Sequence, residues 1–135
     1  EEMKAVSARA TRSLNIGSLL EACDNSGARI CKIVGVKGGK TSKGRMTYTK
    51  IADQVKVSVR KGDPKMKGEI FDAVLVRQRK PWLRNTGERV CFADNAVVLL
   101  KDEKGNPKGT QVKGMVAREV QERWKEIAKI AGGVY

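Results

Sequence analysis

Residues 55–60 read VKVSVR, in which valine alternates strictly with Lys56, Ser58 and Arg60. A repeat of two is typical of a β-strand with one buried face, because successive side chains of a strand point to opposite sides. The valines would enter a core, while the other face would carry the two cations into the solvent. This stretch therefore predicts both a strand and a surface suited to an anionic partner.

Four more stretches are rich in Val, Ile and Leu and are bounded by Gly, Asn, Asp or Pro, which predicts strands there as well. They are residues 19–23, 30–36, 69–77 and 96–101. Short turn signals separate the strands, including DNSG at residues 24–27 and KGDP at residues 61–64. Strands at this spacing favour a small antiparallel barrel or sandwich.

The charge of the chain is concentrated in its middle. The 135 residues include 28 Lys and Arg against 15 Asp and Glu, a net charge of +13. Residues 29–89 carry +12, residues 1–28 carry −1 and residues 90–135 carry +2. A localised cationic surface on a chain of one-domain length predicts an anionic partner, with nucleic acid as the first candidate and an acidic membrane surface as the second.

The composition excludes several kinds of chemistry. Histidine is absent, so neither a histidine-activated nucleophile nor a zinc site that contains histidine can form. Cys23, Cys31 and Cys91 lie at spacings unlike any zinc module and are predicted to be small apolar core residues. Unpaired thiols, the lack of a signal peptide and apolar runs too short to cross a bilayer indicate a cytoplasmic protein without a membrane partner. No residues assemble a nucleophile, a base and an oxyanion donor, so we expect no enzyme, cofactor or metal.

A loop at residues 37–45 is the first candidate for phosphate contacts. Its KGGKTS stretch resembles the end of a Walker loop, but the position that requires the first glycine holds Val34, which argues against a nucleotide site. We expect the cations of this loop to contact phosphate oxygens of RNA instead. They are Lys37, Lys40, Lys43 and Arg45.

Residues 77–91, RQRKPWLRNTGERVC, predict a basic hairpin with its turn at residues 85–87. Pro81 removes a backbone donor, so we expect this ribbon to stand partly free of the main sheet, with Trp82 near one edge. Such a ribbon can follow an RNA groove with its guanidinium groups on phosphates. The cations expected to project from it are Arg77, Arg79, Lys80, Arg84 and Arg89.

An amphipathic helix is predicted over about residues 116–131. Val120, Trp124 and Ile127 lie on one apolar face at helical spacing, and Gly132 and Gly133 would end the helix. That face would pack on the barrel, with Trp124 in the core. We expect residues 1–16 to form an N-terminal arm and residues 17–135 to form a single domain.

The chain contains five short motifs in a fixed order: DNSGAR at residues 24–29, AVLVRQRK at 73–80, FADNAVVL at 92–99, GT at 109–110 and VARE at 116–119. In this order they resemble the universal large-subunit ribosomal protein L-fourteen family. The resemblance runs from about residue 17 to the end of the sequence. RQRK at residues 77–80 and the region from 124 to 132 are more similar to the archaeal and eukaryotic branch than to the bacterial one.

The resemblance implies a mainly β fold, a five-stranded antiparallel β-barrel with a projecting basic ribbon and a C-terminal α-helix. It implies a structural protein of the large ribosomal subunit that binds rRNA near the subunit interface and helps to bridge to small-subunit rRNA. Its neighbours would resemble the L-three and eukaryotic-type L-twenty-four families, and a subunit anti-association factor would dock on its C-terminal region. On this chain the docking residues would be Thr110, Lys113, Arg118 and Trp124.

The cations of the middle region are expected to make phosphate and shape contacts with rRNA. The residues predicted to bind RNA are Arg29, Lys32, Lys37, Lys40, Lys43, Arg45, Lys56, Arg60, Lys61, Arg77, Arg79, Lys80, Arg84 and Arg89. The charge pattern by itself fits equally well a free-standing RNA-binding translation factor with an OB-like or SH3-like barrel, which is the alternative.

Three departures from the family pattern predict local differences. The family's Gly-Val-Gly-Asp before the third strand is KIAD at residues 50–53 here, so this turn loses two glycines. The proline usual after Gly114 is Met115, and the aspartate usual at the ribbon tip is Thr86. We expect the turn at residues 50–53 and the start of the C-terminal segment to differ from those of the family.

Overall fold

The computed structural model describes residues 8–9, 13–37 and 48–135. Strands dominate this part of the chain, and two short helices lie near its C-terminal end. The elements are β1 (Ala8–Arg9), β2 (Leu14–Asn15), β3 (Leu19–Ala22), β4 (Ala28–Val36), β5 (Tyr48–Thr49), β6 (Gln54–Gly62), β7 (Ile70–Arg77), β8 (Trp82–Arg84), β9 (Arg89–Val90), β10 (Ala96–Leu99), β11 (Val112–Val116), α1 (Arg118–Arg123), α2 (Lys125–Ile130) and β12 (Ala131–Val134).

Five strands close into a barrel in the order β10-β3-β4-β6-β7. They are the five stretches predicted from the sequence, and none of their bounds differs by more than two residues. Neighbouring strands are antiparallel, except that β10 and β3 pair in parallel where the barrel closes. The predicted fold class is confirmed, with one parallel contact in an otherwise antiparallel barrel.

The interior of the barrel is filled by the alternating apolar residues of its strands. Val55, Val57 and Val59 are fully buried, together with Cys31 and Ile33 of the neighbouring strand β4. Burial of one valine side chain contributes about 1.5–3 kcal/mol. The alternation in residues 55–60 therefore predicted the inward face of β6 correctly.

A second core lies outside the barrel, against β7 and β10. Val74 and Val76 point away from the barrel interior and pack with Trp82, Val120 and Ile127. Residues 73–76 and 96–99 are buried on both faces, which is why their sequences are continuous apolar runs rather than alternating ones. The outer surface of the barrel is consequently covered along β10 and residues 73–76 of β7, whereas exposed residues remain along β3, β4 and β6 and at the start of β7.

The C-terminal helix is present, but it is interrupted. The prediction of one helix over residues 116–131 is wrong in its bounds, because α1 and α2 are separated at Trp124, whose φ of −126° and ψ of 75° are not helical. Trp124 Nε1–H donates to the carbonyl oxygen of Ala52 at 2.8 Å, so this break is anchored to the barrel. Gly132 and Gly133 do not end the helix but lie in β12, which pairs in parallel with β11.

The predicted hairpin is formed by β8 and β9, and Gly87 at its turn has a φ of +91°. With β1 these strands make a three-stranded sheet separate from the barrel. The expectation that Trp82 lies near an edge is wrong, since its side chain is fully buried and stacks on Phe92 with ring centroids 5.9 Å apart. The base of the hairpin is therefore part of the second core.

The described part of the expected N-terminal arm is paired with other strands. Ala8 and Arg9 of β1 pair with β8, and β2 pairs with β5. Ala8 also packs against the second core. The division of the chain into an arm and a domain stays a prediction.

The turn that departs from the family pattern contains a residue in the left-handed region. Ala52 has a φ of +68° and is the one non-glycine residue with positive φ among those the structure describes. This conformation costs an L-residue about 1–2 kcal/mol. Ala52 N–H donates to Leu75 O at 2.8 Å, and its carbonyl accepts from Trp124 and, at 3.3 Å, from Arg123. Alanine in place of the family's glycine is therefore strained at this position, and these hydrogen bonds stabilise its left-handed conformation.

Replacement of Ala52 by glycine should relieve this strain. Ala96→Gly is the matched control, because both alanines are fully buried and only Ala52 has positive φ. Each change removes a methyl group and adds chain entropy to the unfolded state, so we expect Ala96→Gly to lower the free energy of unfolding by about 1–2 kcal/mol. Ala52→Gly should be neutral to within about 0.5 kcal/mol because strain relief offsets these losses. Thermal and denaturant unfolding measure both values, and equal losses would show that the turn is not strained.

Candidate nucleic-acid interface

Cations lie side by side on the open face of the barrel, which we define as the outward surface of β3, β4 and β6. Lys32 of β4 is the register partner of Ser58 in β6 and so lies between Lys56 and Arg60 of the neighbouring strand. Lys56 and Arg60 are exposed and Lys32 is half-buried. Adjacent strands are about 4.8 Å apart, so this arrangement can contact consecutive phosphates of an RNA backbone.

Two apolar side chains flank these cations. Leu19 pairs with Lys32, and Ile70 pairs with Ser58, which makes a row across four strands. Leu19 is 63% exposed and Ile70 is 60% exposed. Apolar side chains among cations suit a partner that presents sugar and base surfaces together with phosphates, as RNA does.

A second group of cations lies at the end of the barrel where β6 turns towards β7. Arg29, Arg60 and Lys61 are exposed there, as predicted. Lys65 and Lys67 are exposed at the same turn, although the sequence interpretation did not select them. They flank Met66, which is buried in the barrel core, so the K-M-K alternation was the signal that could have identified them.

The hairpin presents three of its five predicted cations to the solvent. Arg79, Lys80 and Arg89 are exposed. Arg79 is fixed at its backbone, where its N–H donates to Asn95 Oδ1 at 2.8 Å. The side chains of Arg77 and Arg84 are instead largely buried and form ion pairs within the protein.

The prediction that Arg84 projects from the hairpin is wrong. Its side chain is 5% exposed and forms an ion pair with Glu119, which is 3% exposed, with Nε donating to Oε1 at 2.8 Å. The same oxygen accepts from Trp82 Nε1–H at 2.9 Å, and Arg84 Nη2 donates to the carbonyl oxygen of Tyr135. This guanidinium therefore joins the hairpin to α1 and to the end of the chain instead of binding phosphate.

Arg77 likewise makes internal contacts instead of projecting into the solvent. Its Nε lies 3.0 Å from Asp94 Oδ1, and its side chain is only 14% exposed. Arg77 Nη1 donates to the carbonyl oxygens of Lys113 and Met115 at 3.1 and 3.4 Å. It therefore holds the start of the C-terminal segment, where the family's proline is absent, against the end of β7.

The predicted phosphate loop is only partly within the described residues. Lys37 is exposed, and its Nζ donates to Gln54 Oε1 at 3.4 Å. Lys40, Lys43 and Arg45 lie outside the described residues, so their role stays a prediction.

Three of the four predicted protein-docking residues are exposed, and the fourth is buried. Thr110, Lys113 and Arg118 are exposed. Thr110 is held by Asn25, whose Oδ1 accepts the Thr110 N–H at 2.7 Å and whose Nδ2 donates to Thr110 Oγ1 at 2.8 Å. The docking role predicted for Trp124 is wrong, because this side chain is buried in the second core, as its position on the apolar helix face had indicated.

Residues 13–135 match the family described as "Ribosomal protein L14p/L23e". The chain belongs to this family. "Large ribosomal subunit protein uL14" of Nanoarchaeum equitans is 53% identical over 129 residues, which cover 96% of this chain and 97% of that protein. Proteins of the same name from Halorubrum lacusprofundi and Methanothrix thermoacetophila are each 47% identical, with the same coverage.

Membership of the L14p/L23e family makes the chain a structural constituent of the large ribosomal subunit, and not an enzyme. The resemblance to the archaeal branch and the expected location in the ribosome are confirmed. None of the helices in the described residues is long and apolar enough to cross a membrane. The alternative of a free-standing translation factor is not supported, because both the family and these relatives are ribosomal proteins.

Burial is the main cause of the raised pKa values of two thiols and one carboxyl group. Burial raises the pKa of Cys23 to about 12 and that of Cys31 to about 11. The prediction that Cys91 is a core residue is wrong, because Cys91 is exposed. Burial also raises the pKa of Asp24, although its carboxylate accepts hydrogen bonds from Ser26 Oγ at 2.7 Å and Leu99 N–H at 3.1 Å. No group of three or more potential metal ligands occurs within residues 8–9, 13–37 and 48–135.

Loss of Arg84 should destabilise the fold far more than loss of a hairpin cation that is exposed. We expect Arg84→Ala to lower the free energy of unfolding by about 3–5 kcal/mol, because it leaves Glu119 buried without its counter-ion. Arg79→Ala should change it by less than about 0.5 kcal/mol. Denaturant unfolding of the purified chain measures both changes.

A double variant separates the ion pair from simple packing. Arg84→Met with Glu119→Gln removes both charges and keeps an oxygen acceptor for Trp82 Nε1–H. We expect it to be more stable than Arg84→Met alone, since the packing is the same and no unpaired charge stays buried. If the double variant is as unstable as the single one, packing rather than charge decides the cost.

The three thiols should differ in reactivity. At pH 8 a soluble aromatic disulfide reagent should titrate one thiol per native chain, Cys91, and three after denaturation. Cys23 and Cys31 are buried and are protonated well above this pH, and only the thiolate attacks the reagent. Cys91→Ser is the control and should leave the native chain unreactive, whereas rapid reaction of two or more native thiols would contradict the burial.

Proposed function

We propose that the chain binds large-subunit rRNA through the open face of the barrel, the turn after β6 and the exposed part of the hairpin. The observation that supports this most is the division of the barrel surface into a side covered by the second core and a side that carries cations on adjacent strands. Phosphate contacts from many Lys and Arg side chains supply most of the affinity in such interfaces. The described cations assigned to this surface are Arg29, Lys32, Lys37, Lys56, Arg60, Lys61, Lys65, Lys67, Arg79, Lys80 and Arg89.

Recognition by this surface is mainly of phosphate, sugar and shape. Its described residues carry cations and aliphatic side chains rather than a row of exposed aromatic rings, which single-strand readers use to stack bases. Lys40, Lys43 and Arg45 extend the same interface in this proposal.

We further propose that the binding site is near the subunit interface and contributes to a bridge with small-subunit rRNA. The neighbours would be proteins of the L-three and eukaryotic-type L-twenty-four families. A subunit anti-association factor would dock on Thr110, Lys113 and Arg118, which are exposed and lie apart from the hairpin cations in the sequence. Trp124 would act only indirectly, by holding the helices that carry this surface.

A charge-matched pair of triple variants tests the rRNA interface. We expect Arg79→Ala, Lys80→Ala and Arg89→Ala together to lower the slope of log binding constant against log salt by about 2–3, since each lost phosphate contact removes about 0.7–0.9. The control replaces Lys104, Lys125 and Lys129 by alanine. These three residues are exposed and outside the proposed interface, so the net charge falls equally.

Binding to transcribed large-subunit rRNA across a salt series measures the slope. The control triple should leave the slope within about one phosphate contact of the native value. Equal losses in the two triples would mean that net charge alone, and not the hairpin, sets RNA affinity.

A further inference from the structure

A cavity of about 190 Å³ opens on the outer surface of the barrel, where β4 ends and β6 begins. Gly35, Lys56 and Asp72 lie side by side on its wall, because Gly35 pairs with Lys56 and Lys56 pairs with Asp72. Gln54 lines the same cavity two residues before Lys56, and Glu103 contributes from the loop after β10. Three adjacent strands therefore form one recess beside the cationic open face.

Gln54 has an unused hydrogen-bond donor in this recess. The residue is 2% exposed, and its Oε1 accepts from Lys37 Nζ at 3.4 Å. Its Nε2 has no hydrogen-bond partner among the described residues. Buried amide groups are almost always paired in native proteins, so an unpaired donor on a residue that lines a cavity points to an acceptor supplied by a ligand.

Gly35 lies where the pairing of β4 with β6 shifts register, between Ile33 and Gly35, and the space beside it is open. Its φ is not positive, and a Cβ added to it would meet nothing closer than Lys56 Cβ at 3.8 Å, an ordinary contact. Since Gly35 is the register partner of Lys56, that added side chain would extend to the outer surface and into the recess. Glycine within a strand marks a bulge or the close approach of a ligand, and at Gly35 the open space on the outer side of the register shift leaves room for a ligand.

We propose that this recess receives one base of rRNA that is turned out of its helix, and that the base is guanine. The inference rests on the proposed rRNA-binding function and adds a base-specific contact to it. Guanine O6 is an acceptor for Gln54 Nε2, while its N1–H and N2 amino group are donors for a carboxylate. Asp72 supplies that carboxylate, and its ion pair with Lys56 at 3.8 Å leaves acceptor positions unused.

Adenine fits the recess less well than guanine. Adenine presents an amino donor where guanine has O6, and this donor would face the Gln54 amide donor. The absence of a side chain at Gly35 and the aliphatic part of Lys56 leave room for a flat apolar ring. Lys37 and Lys56 on the same wall can meet the phosphates on either side of the extruded nucleotide.

Chemical probing of reconstituted large subunits tests the proposal. A glyoxal reagent that attacks N1 and N2 of unpaired guanine would be applied to subunits that carry the native chain, Gly35→Val or Gln54→Glu. We expect one guanine that is protected by the native chain to become about tenfold more reactive with either variant, because valine fills the recess and glutamate removes the donor to O6. Val34→Ala, at the adjacent residue of the same strand, which does not line the recess, is the matched control and should leave that guanine protected.

The possible outcomes are distinct. If the variants join the subunit and no guanine changes, the base recess is wrong while rRNA binding stands. If dimethyl sulfate instead reveals an adenine or cytosine that responds to both variants, the assignment to guanine is overturned. If the free chain binds guanosine monophosphate at micromolar concentration and Gly35→Val abolishes this, the ligand is a free nucleotide and the RNA assignment is overturned. If the native chain itself does not join the subunit, the proposed function fails and this inference fails with it.

Discussion

The carboxylate of Glu119 joins three parts of the protein that lie outside the barrel, namely the hairpin, α1 and the end of the chain. It accepts from Trp82 and Arg84 of the hairpin, it belongs to α1, and through Arg84 it is connected to the carbonyl oxygen of Tyr135. A charge with so little exposure is tolerable only when its counter-ion and hydrogen bonds are all in place. The hairpin, the helix and the last strand must therefore assemble together, and the second core forms between them and the barrel.

Assembly of the second core decides which half of the barrel can meet a partner. Once β7 and β10 are covered, exposed cations remain on β4, on β6 and at the turn after β6. The sequence concentrates the positive charge in residues 29–89. Because the second core covers one side of the barrel, the exposed cations lie on the other side. A ribosomal protein with this arrangement can present one face to RNA and leave the near-neutral C-terminal region to contact proteins.

The turn at residues 50–53 connects this assembly to the barrel. The carbonyl oxygen of Ala52 accepts from both Trp124 and Arg123, and Arg123 also pairs with Asp53 at 3.2 Å. Contacts of this kind hold a left-handed alanine where the family pattern has glycine. The hydrogen bond from Trp124 to Ala52 also holds Trp124, where the helix is interrupted, against the barrel. One contact therefore stabilises both the strained turn and the break in the helix.

Local patterns were sufficient to predict the five barrel strands, the hairpin turn at Gly87, the apolar face of the C-terminal helix and the family. Period-two alternation in β6, short apolar runs bounded by turn residues in the other strands, and the family's motifs are each contained in a few consecutive positions, so the sequence by itself determines these features. The exposure of each cation was not predictable in this way. Arg79 and Arg84 have the same side chain on the same hairpin, yet only Arg84 reaches a carboxylate 35 positions away in the chain. The break at Trp124 and the recess at Gly35 likewise exist only because distant segments meet, since burial and charge pairing depend on neighbours in space and not on neighbours in sequence.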